Sequence, residues 1–126
     1  MKASSDPRRI KAEILGRKAE DVAAHFLENC GWHIVGKRNK TRYGEIDLIA
    51  QKQDITAFIE VKARKNRDDA AAAITPRQAQ RIIAAANHWL ALNPKAILGD
   101  CRFDVILVTP DHRLEHIENA FGAEAW

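Results

Sequence analysis

The chain has 126 residues, 46% of them hydrophobic and 29% charged, enough for one globular domain with a core that needs no disulfide or metal staple. A net charge of +3 with a pI near 9.0 permits contact with nucleic acid without demanding it. No apolar run is long enough to span a membrane, and residues 1–9 lack the apolar stretch of a secretory signal, so the expectation is a cytoplasmic protein with no membrane partner.

Residues 1–11 are polar, contain Pro7 and show no periodicity, which predicts a flexible arm ahead of a domain over residues 12–126. Over residues 12–30, Leu15, Ala19, Val22, Ala23, Phe26, Leu27 and Cys30 recur every three or four positions. That spacing predicts an amphipathic helix, and Gly31 ends it. Glu20 falls roughly 100° from the middle of the apolar stripe, at its margin. It either leans over a sheet edge or stands as a boundary carboxylate on a surface helix. Residues 32–35 read as a strand with Trp32 and Ile34 on one face, and residues 36–44 as a basic loop. In that loop Tyr43 either stacks on a base or caps the core. Cys30 and Cys101 are expected to be reduced and buried. Without a C-x-x-C a structural zinc site is not expected.

Two alternating segments follow, Gly44-Glu45-Ile46-Asp47-Leu48-Ile49-Ala50 and Ala57-Phe58-Ile59-Glu60-Val61-Lys62-Ala63-Arg64, joined by a short polar link; they predict an antiparallel hairpin. With period two, Glu60 and Lys62 share a face with Phe58 and Arg64. Asp47 shares one with Glu45 and Ile49, while Ile46, Leu48 and Ala50 take the other. A loop over residues 52–55 sets Asp47 opposite Glu60, and a two-residue loop sets it opposite Phe58, with Glu60 on the diagonal. In either register Asp47, Glu60 and Lys62 converge. Facing carboxylates repel and raise each other's pKa, so this pattern calls for cations: Lys62 supplies one charge, and a divalent metal would supply the rest.

After Arg64 a charged and alanine-rich stretch reads as a loop. Thr75 as N-cap, Pro76 at the first helical position and the stripe Ala79, Ile82, Ile83, Ala86, Trp89 and Leu90 then predict a second helix, ended by Asn93 and Pro94. Gln78 either closes a capping box with Thr75 or reaches toward the carboxylates. Residues 102–109 predict a strand parallel to the Glu60 strand. Residues 114–117 predict a short edge strand. Residues 119–126 form a tail in which Phe121 and Trp126 can dock on the core. Arg102 and Asp104 read as a structural pair or a phosphate-side contact, and His112 and His116 as exposed.

The spacing D-x12-E-x-K, together with the words around Asp47 and Glu60, resembles the PD-(D/E)xK nuclease superfamily, and within it the YraN-like family, which is similar to archaeal Holliday-junction resolvases. The resemblance covers about residues 14–110. It implies an α/β fold: a single αβββαβ domain with a central mixed sheet and a restriction-endonuclease-like core. It implies metal-dependent cleavage of phosphodiesters in DNA, in preference to RNA, with branched or junction DNA as a candidate substrate. Glu20, in Gly16-Arg17-Lys18-Ala19-Glu20, matches an acidic first-helix position. Glu20, Asp47 and Glu60, with the carbonyl of Val61, would then hold Mg²⁺ or Mn²⁺ in its place, and Lys62 and Gln78 would complete the catalytic set. At Gln78 the family usually has a lysine, so this chain lacks a charge there. Lys37, Arg38, Lys40, Arg42, Tyr43, Arg64 and Lys65 would contact nucleic acid, and the resolvase likeness admits a homodimer. Two other readings stand beside this one: a catalytically silent nucleic-acid-binding module, and a scaffold in which the same charges form a buried network.

Overall fold

A computed structural model describes residues 7–66, 68, 74–111 and 113–122, with side chains described from Lys18 onward. Helix α1 (Pro7–Asn29) leads into strands β1 (His33–Lys40), β2 (Glu45–Lys52) and β3 (Ile55–Ala63). Helix α2 (Pro76–Leu92) and a short 3₁₀ turn (Pro94–Leu98) follow, then β4 (Asp100–Val108) and β5 (Leu114–Phe121). The five strands form one sheet in chain order, β1-β2-β3-β4-β5. Among the described strands only the β3–β4 pair is parallel, as expected from the helix that connects them. The predicted αβββαβ order is present, extended by β5.

Alternation along the strands assigns two apolar layers. Leu48, Ala50, Ala57, Ile59 and Ile106 pack against Ala19, Ala23, Ala24 and Leu27 of α1. On the other side, Ile49, Phe58, Val105, Leu107 and Phe121 pack against Ala79, Ile82, Ala85 and Ala86 of α2. Alanines on both helices let their backbones come close to the sheet, and Phe58, fully buried between Trp89 and Phe103, anchors the α2 layer. Burying a side chain of that size contributes about 2–3 kcal/mol.

The ends of α1 and α2 follow local chemistry. Gly31 takes φ +92°, and Trp32 N–H donates to Leu27 C=O at 3.0 Å, closing the end of α1 as a glycine C-terminal motif does. Thr75 Oγ1 accepts from Gln78 N–H at 3.1 Å at the start of α2.

Several expectations shift. α1 starts at Pro7, so residues 7–11 of the expected arm are helical, while residues 1–6 lie outside the described residues. The basic stretch expected as a loop is mostly strand: β1 runs to Lys40, past a register shift between Ile34 and Gly36, leaving Thr41–Gly44 as the connection. Charged residues suit β1 because it is an edge, where they discourage pairing with other chains. β5 is eight residues rather than four, and Phe121, its last residue, stacks on Phe103 at 5.2 Å. Ile46 packs in the α2 layer with Ile49, not with Leu48 and Ala50 as strict alternation requires. Cys30 and Cys101 are exposed free thiols rather than buried ones: Cys30 falls just past the end of α1, and Cys101 lies at the start of β4. Most of the alanine-rich stretch, His112 and Trp126 lie outside the described residues.

Candidate functional site

The β2–β3 register runs from Lys52↔Ile55 to Leu48↔Ile59 around a turn at Gln53 and Asp54, with Gln53 at φ +56°. This is the register that brings Asp47 to the level of Glu60, with pairing carried one step closer to the turn than a loop over residues 52–55 allows. At this level a side chain takes over from the ladder: Asp47 Oδ2 accepts the Val61 N–H at 2.9 Å. The bond fixes the Asp47 carboxylate against β3, beside Glu60.

Glu60 is almost fully buried, at 6% exposure. Burial, hydrogen bonding to Asp47 and the charge of Asp47 push its carboxyl up to about 10; the nearby Lys62 ammonium pulls the other way. A proton shared between Glu60 and Asp47 relieves the repulsion of two carboxylates in one place. From α2, Gln78 Nε2 donates to Glu60 Oε2 at 3.4 Å. The backbone N–H of Gln78 serves the Thr75 cap, as the capping reading expects, while its side chain donates to the Glu60 carboxylate, as the site-directed reading expects.

Glu20 approaches from the α1 side. Its Oε1 accepts from Arg38 Nε at 2.8 Å, with both side chains partly exposed. Burial raises its carboxyl, the Arg38 hydrogen bond opposes that, and the Asp47 charge adds to the rise. Glu20 therefore feels the Asp47–Glu60 pair without bonding to it. Among the described residues, no three His, Cys, Asp or Glu side chains come together as a group that could hold a metal ion. The expected set of three carboxylates is thus two carboxylates plus a third held by Arg38. A depression of about 420 Å³ opens beside Glu20, lined by Asp21, Lys37, Arg38 and Leu48.

The donor set fits a hard divalent cation at the pair. Asp47 and Glu60 offer oxygen donors, and a cation would satisfy both without the shared proton.

The expected nucleic-acid contacts divide. Lys37, Lys40, Arg42, Arg64 and Lys65 are exposed, whereas Arg38 is committed to Glu20. Tyr43 is 39% exposed and sits on the Thr41–Gly44 turn with Arg42 over its ring.

Two groupings were missed from sequence. Arg81 and His88 of α2 lie beside the Tyr43 turn, with Arg77 one turn earlier on the same helix face; their recurrence at four and seven residues on the polar face of the helix was the available signal. The other is a buried network on the α1 side of the sheet. Asp104, fully buried, accepts from Arg102 Nε at 3.0 Å and from Asn119 N–H at 2.9 Å, and lies 2.8 Å from His116 Nε2. Burial alone would push its carboxyl up. The bonds from His116, Arg102 and Asn119 outweigh burial and hold it below the ordinary aspartate value. His116 is accordingly not exposed as expected but drawn in, with its ring edge-on to Trp32. Arg102 serves this network and stacks on Trp32, which supports the structural half of its expected role.

The αβββαβ order, the mixed sheet and the carboxylate pair where β2 and β3 meet define a protein with a restriction-endonuclease-like fold, of the PD-(D/E)xK class. The profile of Uncharacterised protein family UPF0102 matches residues 19–108. A UPF0102 protein of Rhodopseudomonas palustris strain CGA009 is 50% identical over 115 residues, covering 91% of this chain and 88% of its own length. Another, from Bradyrhizobium diazoefficiens, is 45% identical over 119 residues, covering 94% and 90%. A third, from Bradyrhizobium strain ORS 278, is 48% identical over 120 residues, covering 95% and 85%. The chain belongs to the UPF0102, or YraN, family of the PD-(D/E)xK superfamily.

Proposed function

We propose that this protein is a metal-dependent endonuclease that hydrolyses phosphodiester bonds in DNA, branched DNA among its substrates. The observation that carries this reading is the carboxylate pair: Asp47 fixed by the Val61 N–H beside a buried Glu60 whose carboxyl is pushed up by burial and by Asp47, with Lys62 close by. Asp47 and Glu60 would hold Mg²⁺, with the Val61 carbonyl as a further oxygen donor. Bound Mg²⁺ would supply acidity to water and offset charge on the scissile phosphate. Lys62 stabilises the negative charge that develops on the phosphoryl oxygens. Gln78 donates a hydrogen bond at the same site but no charge. Glu20 joins the pair if phosphate draws Arg38 away, an exchange that a partly exposed ion pair resists weakly.

The second reading is a nucleic-acid-binding module with little or no turnover. It is favoured by the neutral Gln78 and by the engagement of Glu20 with Arg38.

Calorimetric titration with Mn²⁺ and cleavage of labelled DNA, run on wild type, Asp47→Ala and Lys62→Ala, separate the two. The nuclease reading expects Asp47→Ala to lose both metal binding and cleavage, and Lys62→Ala to keep metal binding while cutting at least tenfold more slowly. Metal binding that persists unchanged in Asp47→Ala would remove the pair as the metal site.

A further inference from the structure

The Thr41–Gly44 turn is rigidly built. Thr41 N–H donates to Gly44 C=O at 2.9 Å, and Thr41 Oγ1 accepts from the N–H groups of Tyr43 and Gly44 at 3.0 and 3.2 Å. The turn is set against the outer face of α2. A Cβ on Gly44 would meet Arg81 Cβ at 3.3 Å, so a glycine permits the approach. The Tyr43 ring lies 5.7 Å from the His88 ring, and Arg42 lies over Tyr43 at 4.9 Å while donating to its hydroxyl at 2.7 Å.

On α2, Arg77, Arg81 and His88 are separated by four and seven residues, which places them within roughly 40° of one another on the helix. Arg77 and Arg81 are exposed. Arg77 adjoins Gln78, whose side chain reaches Glu60. A cationic and aromatic band therefore starts at the carboxylate pair and follows α2 to His88, about 15 Å away at 1.5 Å per residue. That length matches several nucleotides of one strand.

We infer that this band binds a nucleic-acid strand carrying unpaired nucleotides, with Arg77 and Arg81 on phosphates and Tyr43, backed by His88, against a base face. The commitment to unpaired nucleotides comes from the aromatic residues. In a duplex the base faces are covered by their neighbours, and a surface offers phosphates and base edges to cations and polar groups. An exposed ring among cations gains a base face only where the bases are unstacked. Cations alone would fit a duplex equally well. The inference rests on the nuclease or binding reading above and adds to it the substrate class and the α2 residues.

The test is fluorescence anisotropy without divalent metal, so that no cleavage occurs. The full chain is titrated with a labelled single strand, a fork with unpaired arms and a fully paired duplex, across a range of salt. Tyr43→Ala should weaken binding of the strand and the fork by roughly tenfold to a hundredfold, the value of one base–aromatic contact. It should leave the duplex within about twofold, and Tyr43→Phe, which keeps the ring, should bind the strand as wild type does. Arg77→Gln and Arg81→Gln should each lower the slope of log affinity against log salt by about 0.7 on the single strand. Equal losses on strand and duplex in Tyr43→Ala, or none on either, would overturn the inference while leaving nucleic-acid binding in place. A wild-type chain that binds none of the three at low salt would overturn it together with the functional reading beneath it.

Discussion

Glu60 is a residue at odds with the stability of its own fold. Its carboxyl is pushed up to about 10 by burial and by Asp47, so the folded chain binds a proton there that the unfolded chain gives up near the ordinary glutamate value. The Glu60 contribution to stability is therefore fully present in acid, and it declines as pH rises from about 4.5 toward 10. Glu60→Gln removes that dependence while keeping the shape. In metal-free buffer its melting temperature should match wild type near pH 5 and exceed it by several degrees near pH 9. A gap that stays constant with pH would mean that Glu60 is not the protonated member of the pair. Asp104 has the opposite sign. Its carboxyl is held below the ordinary value, so its contribution is present at neutral pH and is lost as pH falls below about 4. Asp104→Ala leaves Arg102 and His116 without their buried partner, and should cost about 3–5 kcal/mol in urea unfolding at pH 7. A loss under 1 kcal/mol would mean that the network relaxes without it.

At the scale of elements, the N-terminus of α2 joins stability to the site. Thr75 Oγ1 caps the Gln78 N–H, which sets the backbone from which the Gln78 side chain reaches Glu60. Thr75→Ala should cost about 1 kcal/mol by thermal or chemical unfolding, and Thr75→Ser should restore most of it. The two helices and the hairpin were legible from local signals, namely 3.6-residue periodicity, an alternation broken only at Ile46, and a Thr-Pro start, and the parallel β3–β4 pair from the helix that connects its strands. The carboxylate pair was legible for the same reason, since a short link and period two leave few registers. What escaped depended on partners distant in sequence. β1 continues through Gly36 and a run of charges because it is an edge paired to β2, a circumstance its composition does not announce. That extension is what puts Arg38, eighteen residues from Glu20 in sequence, onto it. Likewise Asp104 finds His116 and Asn119 only because β5 runs to Phe121. The Arg77, Arg81 and His88 stripe gains meaning only once the Tyr43 turn lies against α2.

At the scale of the whole molecule, the sheet separates two tasks. The buried Asp104 network ties β4 to β5 on the α1 side, while the carboxylate pair draws on both layers where β2 meets β3, with Glu20 near from α1 and Gln78 bonded from α2. Exposed cations lie on β1, the Tyr43 turn and α2, and on the proposed reading a strand held by them would pass the pair. The most direct test of the central claim is cleavage of labelled branched, double-stranded and single-stranded DNA in Mg²⁺, with wild type and Glu60→Ala purified identically. Cutting by wild type and none by Glu60→Ala is the predicted result. Equal cutting by both, or none by either, would contradict the claim that this carboxylate pair is a nuclease centre.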